Sequence, residues 1–180
     1  MTEELSVLFE VAEKLETAGL DYMLTGSMAS NLYAMPRMTR DIDFVVAISQ
    51  SNIAQLPRLF PEDSYYLSEE AAKAATKDFS CFNLIHLATM IKIDIMVRKP
   101  QEYRLHEFSR RQKHNIQDRS IWVVSKEDLI LSKLAWAKDS LSEKQLGDVK
   151  NLLATGCDIN YLQTWAKQLQ LTDILTQVSA

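Results

Sequence analysis

The sequence predicts an α/β (α+β) protein in which a mixed β-sheet core is flanked by helices and followed by a C-terminal helical annex. Short β-forming runs alternate with helical periodicity as far as residue 124, whereas residues 125–180 carry helical patterns alone. The length of 180 residues is enough for one core with a small addition. We therefore predict a core over 1–124 and a helical annex over 125–180, packed together as one compact unit.

The first half of the predicted core begins with a helix that Gly19 can end in a left-handed conformation. The predicted elements are, in order, a helix over 5–15, a strand over 20–24, a helix over 27–34, a strand over 42–47 and helices over 49–59 and 69–77. Pro36 closes the second helix, and Pro57 and Pro61 mark the end of the third.

The second half of the chain moves from strands to helices. The predicted elements are two strands in hairpin spacing over 80–87 and 91–97, a helix over 101–115 and a strand over 120–124. Helices are predicted for the remainder. Ser125 with Asp128 resembles a capping box, and so does Ser142 with Gln145. Gly156 is the predicted stop of the helix that precedes it.

The composition excludes several classes of protein. The net charge of −4 argues against a protein that coats nucleic acid, and no apolar stretch approaches the roughly 18 residues that span a bilayer. The start of the chain, Met1–Glu4, is acidic, unlike a secretory signal. Cys81, Cys157 and the three scattered histidines make no zinc-binding spacing. We therefore expect a cytoplasmic protein without a membrane partner, in which carboxylates hold any metal and favour hard cations such as magnesium.

Three aspartates are the candidate metal ligands. Asp41 and Asp43 begin the strand 42–47, and alternation along a strand sends them to one face. In the run 91–97 the isoleucines fill one face and Asp94 lies on the other. If the two strands are neighbours, three carboxylates meet, and such a cluster suits two divalent ions that clamp the oxygens of a phosphoryl displacement.

Gly26 and Ser27 form the turn between a strand and a helix. Glycine allows the backbone to approach a phosphate closely, and the start of the helix offers free N–H groups with a partial positive charge. This turn and the acidic strand after it predict a triphosphate cradle that faces a metal site.

These residues resemble the nucleotidyltransferase superfamily typified by DNA polymerase beta and kanamycin nucleotidyltransferase. Its signature is Gly-Gly or Gly-Ser, roughly a dozen residues, Asp-hydrophobic-Asp or Glu, and a later strand carboxylate. Here Gly26-Ser27 is followed by thirteen residues and then by Asp41-Ile42-Asp43, with Asp94 further on. The resemblance covers 20–97 and implies a nucleotidyltransferase-like fold for the core.

The runs 38–43 and 127–134 are similar to small bacterial nucleotidyltransferases of the abortive-infection and toxin–antitoxin type. In those relatives a lysine on a helix after the core and a following aspartate form part of the site, and Lys133 and Asp148 are the matching positions. Lys133 also lies beside the apolar stripe of its helix, where an unpaired ammonium is costly. It either snorkels to solvent or reaches a nucleotide phosphate.

The resemblance implies an enzyme that moves a nucleoside monophosphate from an NTP, such as ATP, to a hydroxyl with Mg²⁺ or Mn²⁺. Asp41, Asp43 and Asp94 would hold the metals, and Asp94 would also help to deprotonate the acceptor. The expected nucleotide contacts are made by Gly26, Ser27, Arg37, Arg40, Lys133 and Asp148. The acceptor is left open between an RNA end, a protein side chain and a small molecule, and a cognate toxin or antitoxin is a possible partner.

Two alternatives remain. One is a non-catalytic nucleotidyltransferase-like module, an antitoxin or adaptor that binds another protein. The other is a nucleotide-sugar glycosyltransferase with an Asp-x-Asp metal site. A basic run is interpreted either as a solvated helix face or as a surface for RNA phosphates; it comprises Arg104, Arg110, Arg111, Lys113 and Arg119. The three tryptophans, Trp122, Trp136 and Trp165, are expected to pack in the core or the annex and not to serve as platforms on which bases stack.

Overall fold

A computed structural model describes residues 2–140 and 142–179. The strands are β1 (Tyr22–Thr25), β2 (Ile42–Val46), β3 (Tyr65–Leu67), β4 (Cys81–His86), β5 (Ile91–Val97), β6 (Gln112–Ile116) and β7 (Arg119–Val123). The helices are α1 (Glu3–Thr17), α2 (Gly26–Tyr33), α3 (Leu56–Leu59), α4 (Glu69–Asp78), α5 (Glu102–Ser109), α6 (Lys126–Ser140), α7 (Glu143–Ala154), α8 (Ile159–Gln168) and α9 (Thr172–Ser179). A 3₁₀ turn, Ile53–Gln55, precedes α3.

The strands form one mixed sheet in the order β3-β4-β5-β2-β1-β7-β6. Strand β2 is antiparallel to β1 and parallel to β5, and β1 is parallel to β7. The two ends of the sheet are antiparallel, with β3 on β4 at one end and β6 on β7 at the other. The centre of the sheet is therefore formed by β1, β2 and β5, and these strands carry the candidate site.

The core is built from alternating strand residues and one face of each helix. In β2 and β5 every second side chain is buried against the helices, and the residues between them are less buried. Helix α1 contributes a continuous apolar stripe that includes Leu8, Val11 and Leu15. This mixed sheet with flanking helices confirms the predicted fold class.

Three predictions about the elements of the core were incomplete or wrong. The helix predicted over 49–59 is a 3₁₀ turn followed by α3, and Pro57 lies in the first turn of α3, where proline is tolerated, and not at its end. The edge strand β3 had no prediction. The helix predicted over 101–115 ends at Ser109, and the rest becomes β6, which pairs with β7 across Gln117 and Asp118 in the left-handed conformation.

The chain after β7 is helical, as predicted. Ser125 accepts from the backbone N–H of Asp128, and Ser142 accepts from that of Gln145, which confirms both caps. Gly156, with a φ of 77°, follows the end of α7. Side chains of α6 to α9 belong to the same hydrophobic cluster as the sheet, and the division into a core and an annex at residue 124 stays a prediction. No helix among the described residues is long and apolar enough to cross a membrane.

Candidate active site

Two of the predicted carboxylates meet in the centre of the sheet. Strands β2 and β5 are parallel neighbours, and Asp43 stands opposite Asp94 in their register. Both belong to the less buried face of their strands, so their side chains share one side of the sheet. Asp41 precedes β2 and is exposed. The condition set by the sequence, that these two strands are neighbours, is fulfilled.

The turn between β1 and α2 is packed against Asp43. Strand β1 pairs with β2, so that Thr25 lies opposite Asp43 and Gly26 begins the helix beside it. Gly26 has a φ of 65°, and a Cβ built there would overlap the Asp43 carboxylate. Glycine is therefore required at this position for two reasons, its left-handed backbone and the space that the carboxylate occupies. The backbone N–H of Ser27 donates to the same carboxylate.

Crowding of negative charge is visible at Asp43. Burial, together with the nearby Asp94 and Asp41, raises the pKa of its carboxyl to about 6. Among residues 2–140 and 142–179, no three Asp, Glu, His or Cys side chains lie close enough together to form a ready metal-binding cluster. Adjacent carboxylates that repel each other nevertheless have the hard oxygen donors that a divalent cation prefers.

Asp94 has a cationic partner that was not predicted. Lys92 lies two residues earlier on the same face of β5, and its Nζ is 2.9 Å from Oδ2 of Asp94. This hydrogen bond raises the pKa of the lysine. The alternation of β5 placed Lys92 beside Asp94 in the sequence, which was the available signal for the pair.

Lys133 and Asp148 form a buried ion pair between α6 and α7. Nζ of Lys133 is 2.8 Å from Oδ2 of Asp148 and 3.1 Å from Oε1 of Gln145. Lys133 is 4% exposed, so the alternative in which this lysine snorkels to solvent is wrong. Asp43 contributes to the electrostatic environment of Lys133 and favours its charged form. The ammonium is thus held beside the acidic centre.

Arg37 shares the Asp148 carboxylate with Lys133. Its Nε and Nη2 donate to Oδ1 and Oδ2 of Asp148 at 2.8 and 2.9 Å, a bidentate arrangement. Nη2 also donates to Oγ of Ser27 at the start of α2. Asp148 therefore joins two cations to the turn that packs against Asp43.

The titration behaviour of this cluster follows from its contacts. Burial alone would raise the pKa of Asp148, but its hydrogen bonds to Arg37 and Lys133 outweigh burial and lower the pKa to about 2. Burial lowers the pKa of Lys133, and Asp148 opposes that change. The carboxylate of Asp148 is consequently ionised at any physiological pH and acts as a counter-charge.

The remaining predicted cations lie apart from this cluster. Arg40 is mostly exposed, and its Nε lies 3.9 Å from Oε1 of Glu4. The arginines of the basic run bind carboxylates of the protein instead of forming one open surface: Arg104 pairs with Glu107, Arg110 with Asp128, Arg111 with Asp21 and Arg119 with Glu13. The helix-face interpretation is wrong for the second half of the run, which is strand, and the interpretation as a surface for RNA phosphates stays a prediction.

Several solved structures share this fold. The lincosamide antibiotic adenylyltransferase LnuA, with lincomycin bound, is 18% identical and has a TM-score of 0.58 over 86% of this chain and 98% of its own. ANT(2")-Ia in complex with adenylyl-2"-tobramycin is 14% identical, with a TM-score of 0.63 over 99% of this chain and 100% of its own. An antigenic nucleotidyltransferase-like protein from Paracoccidioides brasiliensis is 19% identical, with a TM-score of 0.57 over 98% of this chain and 92% of its own.

The sheet, with a Gly-Ser turn packed against facing strand carboxylates, has the fold of the nucleotidyltransferases. No curated protein matches the chain. A family model does match it over residues 11–174, under the description "Nucleotidyl transferase AbiEii toxin, Type IV TA system". The chain belongs to this family of nucleotidyltransferase enzymes, whose substrate is an NTP. The predicted resemblance to nucleotidyltransferases of the toxin–antitoxin type is confirmed.

Proposed function

We propose that the protein transfers a nucleoside monophosphate from an NTP to a hydroxyl, with release of pyrophosphate and with the help of a divalent metal, Mg²⁺ or Mn²⁺. The observation that supports this proposal is the register of β2 and β5, which sets Asp43 opposite Asp94 beside the Gly26 turn. Asp41, Asp43 and Asp94 are the residues that would hold the metal. When bound, the metal would neutralise the developing charge on the transferred phosphoryl group.

Each protein group has a separate task in this proposal. The N–H groups at the start of α2, at Gly26 and Ser27, would bind the outer phosphates, since a helix N-terminus attracts anions. Lys133 and Arg37 would supply positive charge on the leaving-group side, because Arg37 contacts Ser27 of that turn and Lys133 shares the Asp148 carboxylate with Arg37. Asp148 would fix their directions and would not itself touch a phosphate. Asp94 would accept the proton of the acceptor hydroxyl.

The biological setting follows from the family. Its members are toxins of type IV toxin–antitoxin systems, and we propose that this chain likewise acts beside a cognate antitoxin protein in the cytoplasm. The acceptor would be an RNA end, a protein side chain or a small molecule. The intact carboxylates disfavour the first alternative, a non-catalytic module. The second alternative, a glycosyltransferase, would not account for the close packing of the Gly26 turn against Asp43.

A labelling experiment tests this proposal. The protein is incubated with each α-³²P-labelled NTP, MgCl₂ and fractionated cellular RNA, protein and small molecules. Label is expected in one fraction with the wild type and in none with Asp43→Asn or Asp94→Asn. Glu62→Gln, which changes an exposed loop carboxylate, is the matched control and should label as the wild type does. Equal labelling by the aspartate variants would contradict the assignment of the site.

A further inference from the structure

An open pocket of about 290 Å³ continues the site along the same face of the sheet. Val45 and Met96 line this pocket, and each lies two residues beyond Asp43 or Asp94 on the same side of its strand. Thr25, the last residue of β1, lines it as well. The pocket therefore begins roughly 7 Å along the strands from the carboxylates.

Two exposed aromatic side chains stand at this pocket. Trp136 lies on α6, one turn after Lys133, and is 64% exposed, so the expectation that it packs in the core or the annex is wrong. Phe79 caps the end of α4 in the left-handed conformation and is also partly exposed. Flat aromatic surfaces beside a small apolar pocket suit a nucleobase, which stacks on such rings regardless of its identity.

A half-buried arginine, Arg104, gives the pocket a hydrogen-bond donor that the buried Glu107 holds in place. Nη1 of Arg104 donates to Glu107 at 2.8 Å and to Oγ of Ser132 at 2.6 Å, and Ser132 donates to Glu107 at 2.6 Å. All three residues line the pocket, and Glu107 is buried. These bonds orient the guanidinium, whose five donors extend beyond Nη1. Arg104 is thus held in place at the edge of the pocket.

We propose that this pocket takes the nucleoside half of the donor NTP, with Trp136 stacking on the base and Arg104 donating to an acceptor atom of the base. The assignment rests on the proposed function, which places the triphosphate at Gly26 and Lys133. From there a nucleotide that extends along β2 and β5 enters the pocket directly. The pocket volume lies at the lower end of the range for ligand sites, which suits a single nucleoside.

The rival occupant is the acceptor, in the form of an RNA end. Arg98 and Lys99 also line the pocket and would suit a backbone phosphate. The position of the pocket favours the donor instead, because Thr25 and Trp136 connect it to the elements that carry the phosphate-binding groups. In addition, the Arg98 guanidinium lies 5.1 Å from the centre of the Phe108 ring, on which it stacks.

Cys81 provides a reporter inside the pocket. Cys81 lines the pocket and is exposed. In a Cys157→Ser background it is the one remaining cysteine of the sequence. The rate of maleimide labelling of Cys81 at pH 8 is measured alone, with each NTP and MgCl₂, with each nucleoside, and with tripolyphosphate. Melting temperatures are measured in parallel.

An NTP is expected to slow labelling at least five-fold, and its nucleoside to do the same at higher concentration. Tripolyphosphate should raise the melting temperature and leave the labelling rate unchanged. An NTP that raises the melting temperature without protecting Cys81 would overturn the pocket assignment and leave the proposed function standing. Protection by a short RNA and by no NTP would give the pocket to the acceptor. If neither NTP nor tripolyphosphate binds, the proposed function and this inference both fail.

A second measurement distinguishes stacking of the base on Trp136 from simple shielding of Cys81 by a bound nucleotide. Trp136→Ala should weaken NTP binding roughly 5- to 150-fold, the range for loss of one base–aromatic stack. It should leave tripolyphosphate binding unchanged, and Trp136→Phe should retain most of the NTP affinity. Met90→Ala, at an exposed hydrophobic residue after β4, is the control. Equal NTP affinity in wild type and Trp136→Ala would refute the stacking role.

Discussion

Replacing Asp43 by asparagine should stabilise the protein when no metal is bound. The pKa of Asp43 is about 6 against an ordinary 3.8, so ionising this carboxyl above pH 6 costs the folded state more than the unfolded state. This difference in the free energy of ionisation amounts to about 3 kcal/mol at pH 8. Asparagine keeps the shape and an acceptor for the Ser27 N–H, and it carries no charge.

The size of this stabilisation depends on pH in a way that identifies its cause. Between pH 4 and 6 the folded protein binds more protons at Asp43 than the unfolded chain does, so the contribution of this group to stability falls as pH rises. The advantage of Asp43→Asn should therefore shrink to between about 1 and 2 kcal/mol at pH 5 and to less than about 1 kcal/mol at pH 4.

Urea unfolding in EDTA at these three pH values measures the advantage directly. Glu62→Gln, at an exposed carboxylate, should change the free energy of unfolding by less than about 0.5 kcal/mol throughout. With MgCl₂ and NTP added the order should invert, since only the wild type would gain stability from the ligands. An Asp43→Asn protein that is no more stable than the wild type at pH 8 in EDTA would refute the reasoning.

Three further changes test neighbouring parts of the site. Gly26→Ala should cost more than about 1 kcal/mol, because the left-handed backbone is strained and the new Cβ displaces Asp43; urea unfolding and loss of the metal-dependent stabilisation measure both effects. Lys133→Met keeps the apolar stem and should weaken tripolyphosphate binding more than AMP binding by calorimetry, and unchanged affinities would contradict a phosphate role. Asp148, with a pKa of about 2, should contribute stability above about pH 4 that is lost as pH falls towards 2. In Asp148→Asn the free energy of unfolding should therefore depend less on pH between about 4 and 2. The same change should destabilise the protein near neutral pH by roughly 2–3 kcal/mol, because Arg37 and Lys133 lose their counter-charge.

Local patterns were sufficient to predict the centre of the fold. The alternation of 91–97 predicted that Asp94 leaves the apolar face of its strand, and the structure places it there. The strand, turn and helix around Gly26 were predicted because glycine and the flanking residues mark such turns locally. Patterns of this kind depend on neighbours two to four residues away, which the sequence displays directly.

Features that depend on distant partners were not predictable in this way. Arg37 binds Asp148, which is more than one hundred residues away in the chain, and no local pattern links them. Strand β6 is rich in polar residues and is formed by its pairing with β7; the turn between them, Gln117-Asp118, lacks the glycine that usually marks a tight hairpin. Unlike the Arg37–Asp148 contact, this pairing is local, but it determined the structure of the segment against its intrinsic preference.

The wide separation in sequence of the site residues has a consequence for the synthesis of the protein. The turn at Gly26 emerges early from the ribosome, Asp94 comes from the middle of the chain, and Lys133 and Asp148 come from its last third. Parallel strands such as β2 and β5 cannot be joined by a tight turn, and contacts of such long range form late in folding. A nascent or truncated chain would therefore hold an incomplete site. Activity would then begin only after the helices that carry Lys133 and Asp148 have been synthesised and have packed on the sheet.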